Sequence, residues 1–172
     1  PLFQMIFLTG GTGLVGAHIL LKLAEKKLKV RALKRKDSSL KVVKNIFSHY
    51  NKSDLFQSIE WVDGDLMDIF SLEEGMTACN KVIHCAAMIS FNPKDFELMM
   101  QQNVEGTSNI VNIALSQDIE KLAYISSIAT LGSTAENKIK TENDFWKENK
   151  SNTQYAISKY LAEQEVWRGI QE

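Results

Sequence analysis

Short apolar runs alternate along the chain with longer stretches of helical spacing. Residues 5–8 are continuously apolar and stop at Thr9-Gly10-Gly11, which predicts a buried strand and then a turn. The stretch 14–26 has apolar residues at Leu14, Val15, Ile19, Leu20, Leu23 and Ala24, which is helix spacing. Residues 28–33 predict a second strand. The break Lys36-Asp37-Ser38-Ser39 follows, then a polar helical stretch to about residue 50. A third strand is expected at 59–62, closed by Asp63-Gly64-Asp65, and a short helix at 71–76. A fourth strand at 81–85, a long amphipathic helix at 96–116 and a fifth strand at 121–126 complete the alternation. Residues 132–152 are polar and without period, and a last helix is expected at 155–170.

Strands that alternate with helices imply βαβ units and a parallel sheet. Right-handed crossovers put helices on both faces, giving a doubly wound Rossmann-type α/β fold. With the first strand central, the expected order is 3-2-1-4-5. There is no internal repeat, low-complexity segment or Pro/Gly-rich linker, so residues 1–172 read as one domain. Residues 1–4 lack the basic region of a signal peptide and precede a natural-looking initiator, Met5; they read as an appended remnant.

Composition narrows the class. Hydrophobic residues are 44% and charged residues 24%, which fits a folded soluble protein and excludes a disordered one. No apolar run approaches the roughly 18 residues of a membrane span. Two cysteines, Cys79 and Cys85, make neither a disulfide framework nor a zinc site; they read as small buried side chains in a cytoplasmic protein, and no metal is expected. The net charge is −1, but between Lys22 and Lys52 there are eleven Lys/Arg against two acids. A local basic segment in a near-neutral chain argues for a local anionic ligand rather than for a nucleic acid.

The first strand feeds Thr9-Gly10-Gly11-Thr12-Gly13-Leu14-Val15-Gly16 and then a helix, which contains G-x-G-x-x-G as Gly11, Gly13 and Gly16. Glycines there let the chain turn sharply, let the backbone approach a pyrophosphate, and let helix and strand pack closely. The helix N-terminus offers N–H groups and the positive end of its dipole to the phosphates. The position between strand and helix is the context that gives this motif its meaning, and a dinucleotide is the expected ligand. In NAD-preferring folds an acid at the end of the second strand binds the ribose 2′-hydroxyl. Here that strand runs into Lys34-Arg35-Lys36, three cations suited to a 2′-phosphate, so NADP is expected to be preferred with NAD as the alternative. Asp65, in Gly64-Asp65-Leu66, can accept a hydrogen bond from an adenine amino group while the Leu66 backbone meets the ring; a Gly-Asp turn with no ligand role is the competing reading.

Tyr155 and Lys159 form Y-x-x-x-K at the start of the last helix, on one helical face. A nearby ammonium favours the phenolate, so Tyr155 can exchange a proton with a carbonyl or alcohol oxygen while hydride moves to or from a nicotinamide. The fifth strand ends in Ser126-Ser127, where ligands bind in open α/β sheets; the hydroxyls either hold a substrate oxygen or cap the sheet edge.

These motifs, with His84-Cys85-Ala86-Ala87, Asn103-Val104-Glu105-Gly106-Thr107 and Ser126-Ser127-Ile128-Ala129-Thr130-Leu131-Gly132, occur in the order found in the extended short-chain dehydrogenase/reductase family, which the chain resembles. Within it, the chain looks most like the dihydroflavonol-reductase-like and 3β-hydroxysteroid-dehydrogenase-like branch. The resemblance implies that Ser127 orients the substrate, that Tyr155 is the acid/base, and that Lys159 is its partner and binds the nicotinamide ribose. It also implies that Cys85, Ala86, Ala87 and Ser126 line the cofactor, that Asn103 stands near the nicotinamide end, and that Arg35 meets the 2′-phosphate. Family members usually run to about double this length. The sixth strand, a loop over the nicotinamide and most of the substrate lobe are therefore expected to be lacking.

The expected function is an NADP-dependent reduction of a ketone, or oxidation of a secondary alcohol, on a small-molecule substrate. A nucleotide-sugar epimerase or dehydratase is the first alternative; an acid at position 34 would have favoured it, and Lys34 stands there instead. A non-catalytic NADPH-binding sensor or assembly protein is the second, opposed by the presence of both Tyr155 and Lys159. The apolar faces of the long helix and the Tyr155 helix permit a homodimer and equally fit packing on the sheet.

Overall fold

A computed structural model of the chain describes residues 5–132 and 139–172; residues 1–4, read above as a remnant, lie outside them. Five strands, β1 (Met5–Thr9), β2 (Lys29–Lys34), β3 (Ile59–Asp63), β4 (Lys81–His84) and β5 (Lys121–Tyr124), form one parallel sheet. Its order is β3-β2-β1-β4-β5, as the alternation predicts. The helices are α1 (Leu14–Glu25), α2 (Lys41–His49), α3 (Ile69–Met76), α4 (Phe96–Met100), α5 (Gly106–Ser116) and α6 (Gln154–Gln171).

The central strand β1 shows why the sheet is covered twice. Ile6 and Leu8 point into one apolar cluster with Leu20, Leu21, Val43 and Phe47, from α1 and α2. Phe7 points into another with Leu72, Met76, Ile110 and Ile113, from α3 and α5. Successive side chains leave a strand on opposite faces, so an unbroken apolar run buries both. Phe7, Leu8 and Leu20 are fully buried.

Periodicity missed several features, a 3-10 turn at Pro93–Asp95 among them. Residues Ser53–Ser58 form a 3-10 turn before β3, and Ile128–Leu131 form another after β5. The expected helix 96–116 is present, but its ladder switches to π spacing at Gln101–Glu105, between α4 and α5. The strands β4 and β5 stop at His84 and Tyr124, so Cys85 and Ser126 lie beyond them. Of the stretch expected to be irregular, 139–152 carries no helix or strand and 133–138 lies outside the described residues.

The chain divides into two compact units. The first, Pro1–Ala87 with Asn109–Ile125, contains the sheet and α1–α3. The second, Met88–Ser108 with Ser126–Glu172, contains α4, the π turn and α6. Among the described residues no helix is long and apolar enough to cross a membrane.

Candidate dinucleotide cradle and acid/base group

In the first unit the turn after β1 is built from contacts that leave no room for a side chain at Gly10 or Gly16. Gly10 has φ +72°, and a Cβ there would lie 2.5 Å from the Ala86 nitrogen and 2.7 Å from the Cys85 carbonyl carbon. A Cβ on Gly16 would lie 2.2 Å from the Gly10 oxygen. Both glycines are required by the fold itself. Gly13 is different. Its φ is −84° and ψ 171°, which any residue adopts, and a Cβ there would meet only the Gly10 oxygen, at 3.4 Å. Nothing within the chain requires a glycine at this exposed position.

Gly13 is also the N-cap of α1, and no side chain caps that helix or places an acid in its first turn. The first N–H groups of a helix have no intrahelical partner. Uncapped donors, the positive end of a 12-residue helix and a bare Cα together suit an approaching phosphate. The residues present therefore fit the pyrophosphate of a dinucleotide. Leu14 and Val15, in that first turn, are exposed at 66% and 53%, while Gly11 is buried and Thr12 is half-buried.

The turn is fastened to β4 through Thr9. Its buried hydroxyl shares a 2.6 Å hydrogen bond with His84 Nδ1 and accepts the Ala86 N–H at 3.3 Å. The Cys85 N–H donates to the Thr9 carbonyl at 3.2 Å. Thus Cys85 and Ala86 stand beside the glycine turn, and Ala87 follows, exposed. Cys85 is half-buried, whereas Cys79 is buried as expected, and burial pushes the Cys79 thiol up to about 11.

At the ends of β2 and β3 the structure adds what the sequence did not reveal. Lys34 and Asp63 are register partners, and the Lys34 Nζ donates to Asp63 Oδ1. Arg35 and Lys36 are exposed, and Arg35 makes no ion pair among the described residues. Arg31, also in the basic segment, serves the fold: it donates to Glu60 at 2.7 Å and to the Gly75 and Thr77 carbonyls, holding the C-terminal end of α3. Asp65 Oδ1 accepts the Met67 N–H at 2.9 Å, forming a local turn, and the Leu66 carbonyl accepts from Asn109 Nδ2 at 2.9 Å.

The second unit carries the other expected residues. Thr153 caps α6 by accepting the Ala156 N–H at 3.1 Å, which starts the helix one residue before Tyr155. Lys159, one turn on, is only 2% exposed. Asn103, in the π turn, accepts the Met88 N–H at 2.7 Å and donates to the Met88 carbonyl and the Ser158 hydroxyl, both at 2.9 Å. Both amide hydrogens are thus committed to the chain itself, which makes Asn103 a brace for α6 beside Lys159. The Ser127 hydroxyl accepts the Ala129 N–H at 3.2 Å and caps its 3-10 turn, and this turn packs on α6. Ser126 donates to Glu163 Oε2 at 2.5 Å. Glu163 lies one helical turn beyond Lys159, a partner that local sequence signals could not pair with a residue at the end of β5.

A model of the NAD dependent epimerase/dehydratase family matches residues 6–172. The chain belongs to that family. It is thereby a member of the extended short-chain dehydrogenases/reductases, and its relatives lie toward the dihydroflavonol-reductase-like branch. A Synechocystis protein with a provisional dihydroflavonol 4-reductase name is 36% identical over 96% of this chain and 45% of its own length. The decarboxylating sterol-4-alpha-carboxylate 3-dehydrogenase of Dictyostelium discoideum is 30% identical over 71% of the chain and 35% of its own length. A short-chain dehydrogenase/reductase superfamily protein from Agrobacterium tumefaciens, solved with bound NAD, superimposes with a TM-score of 0.76 at 25% identity, over 95% of this chain and 44% of that one. The chain spans less than half the length of each of these proteins.

Proposed function

We propose that this chain forms the cofactor-binding and acid/base part of an NADP-dependent oxidoreductase that interconverts a ketone and a secondary alcohol. The observation that carries the catalytic part is the burial of Lys159 one turn from Tyr155. Lysine is almost never fully buried unless it is paired, and residues four apart share one face of a helix, so the ammonium and the phenol can serve one site. The bound nicotinamide supplies or accepts the hydride. Tyr155 gives its proton to the carbonyl oxygen in reduction and takes the alcohol proton in oxidation. Ser127 orients that oxygen with its hydroxyl hydrogen, one of its two lone pairs being engaged by the Ala129 N–H. Gly13 and the first turn of α1 receive the pyrophosphate, and Arg35 receives the 2′-phosphate with two parallel hydrogen bonds.

Calorimetric titration of the purified chain with NADPH and NADH tests the cofactor reading. Tighter binding of NADPH, weakened by Arg35→Ala, is expected. Preference for NADH would overturn the NADP assignment and shift weight to an epimerase or dehydratase. In the full-length protein, Tyr155→Phe is expected to lower kcat by about 10²–10⁴, the usual contribution of such a group; unchanged kcat would overturn the role of Tyr155.

A further inference from the structure

We infer that Asp63 sets how strongly the site discriminates between NADP and NAD, by engaging Lys34 at the strand end where a 2′-phosphate would be received. The inference rests on the dinucleotide reading above. Lys34 and Asp63 are the last residues of β2 and β3, directly opposite each other in parallel register. The Lys34 ammonium donates to the Asp63 carboxylate; the Lys34 side chain is 18% exposed and that of Asp63 58%. The end of β2 is where an acid receives a 2′-hydroxyl or cations receive a 2′-phosphate. The acid absent from β2 is delivered there by β3.

Two consequences follow from the charges. An ammonium paired with a carboxylate offers a phosphate little net charge, so of Lys34, Arg35 and Lys36 only the last two act at full strength. The carboxylate itself repels a 2′-phosphate but accepts a hydrogen bond from a 2′-hydroxyl. Asp63 therefore moderates the preference that the three cations imply, and leaves Arg35 as the principal phosphate ligand.

The test is equilibrium titration of the 172-residue chain with NADPH and with NADH, following nucleotide fluorescence. Asp63→Asn is expected to raise the NADPH-over-NADH affinity ratio by about fivefold, the scale of one solvent-exposed charge pair a few ångströms apart. Asp63→Ser, a second uncharged side chain, should do the same, and Asp63→Glu should keep the wild-type ratio. In a Lys34→Ala background the gain from Asp63→Asn should shrink, because the freed ammonium is gone. A ratio that is unchanged or lower in both uncharged variants, with the wild type still binding both nucleotides, would overturn the role of Asp63 and leave the cofactor reading standing. If the wild type binds neither nucleotide, the cofactor reading itself fails and the inference fails with it.

Discussion

The Asn103 amide donates to the Ser158 hydroxyl at 2.9 Å, immediately before the buried Lys159. Ser158 passes the contact on by donating to the Tyr155 carbonyl at 2.9 Å. A single side chain in a π turn thus holds the helical turn that separates the two expected catalytic groups. The Thr107 hydroxyl donates to the Asn103 carbonyl at 2.5 Å and steadies that turn. Asn103→Ala leaves a buried hydroxyl and the Met88 peptide groups without this partner, and should lose about 1–3 kcal/mol of stability in urea unfolding. Ser158→Ala removes two neutral hydrogen bonds, the one it accepts from Asn103 and the one it donates to the Tyr155 carbonyl, and should lose about 1–2 kcal/mol. A smaller loss from Asn103→Ala, which removes three hydrogen bonds, than from Ser158→Ala would contradict a brace that reaches both Met88 and Ser158.

Gly13 and Gly16 should respond in opposite ways to an added methyl. Gly16→Ala drives a Cβ to 2.2 Å from the Gly10 oxygen and should lower the melting temperature sharply or prevent folding. Gly13→Ala meets no such obstacle and should melt like the wild type, while its nucleotide affinity falls about tenfold or more, a loss of roughly 1.4 kcal/mol per decade. Normal nucleotide affinity in Gly13→Ala would contradict a close backbone approach of the pyrophosphate.

Helices α1, α2 and α5 end on left-handed residues where glycine is usual, at Lys27, Asn51 and Asp118. Lys27 has φ +56°, with the Leu28 N–H donating to the Leu23 carbonyl at 3.0 Å; Asp118 has φ +53°, with the Ile119 N–H donating to the Ala114 carbonyl at 2.9 Å. An L side chain in this region costs about 1–2 kcal/mol, and glycine loses roughly 0.5–1 kcal/mol more backbone entropy on ordering. The first effect is the larger. Lys27→Gly should therefore stabilise the chain by about 0.5–1 kcal/mol, read as a higher urea midpoint at unchanged slope.

The buried Cys79 thiol donates to the Gly75 carbonyl at 3.7 Å, and burial raises its pKa to about 11. At pH 8 an aromatic disulfide reagent should modify the half-buried Cys85 first and reach Cys79 only on unfolding. The folded state holds this proton more tightly than the unfolded chain. Its contribution to stability is therefore intact below the ordinary thiol range and declines as pH rises through it toward 11. Rapid labelling of both cysteines at pH 8 in the folded protein would contradict this.

The fold was readable because its signals are local. An apolar run such as Ile6-Phe7-Leu8 closed by glycines, repeated at helix-length intervals, admits few parallel arrangements, and the strand order followed. The glycine turn and the spacing of Tyr155 and Lys159 were equally readable, since each lies within one turn or one helix. The π register at Gln101–Glu105 was not, because apolar spacing over a single turn does not distinguish i→i+4 from i→i+5 hydrogen bonds.

Sequence alone sufficed for the alternation of elements, the glycine turn between strand and helix and the helical spacing of Tyr155 and Lys159, because helical and strand periods act over neighbouring residues. It did not show which glycine the fold leaves unconstrained, that Asp63 would pair with Lys34, or that Asn103 would brace Ser158 and Glu163 receive Ser126. Those pairs lie between 29 and 55 residues apart in the chain. Their meeting depends on strand register and helix packing, which bring side chains within hydrogen-bond distance only after the chain has closed its long loops and buried its core.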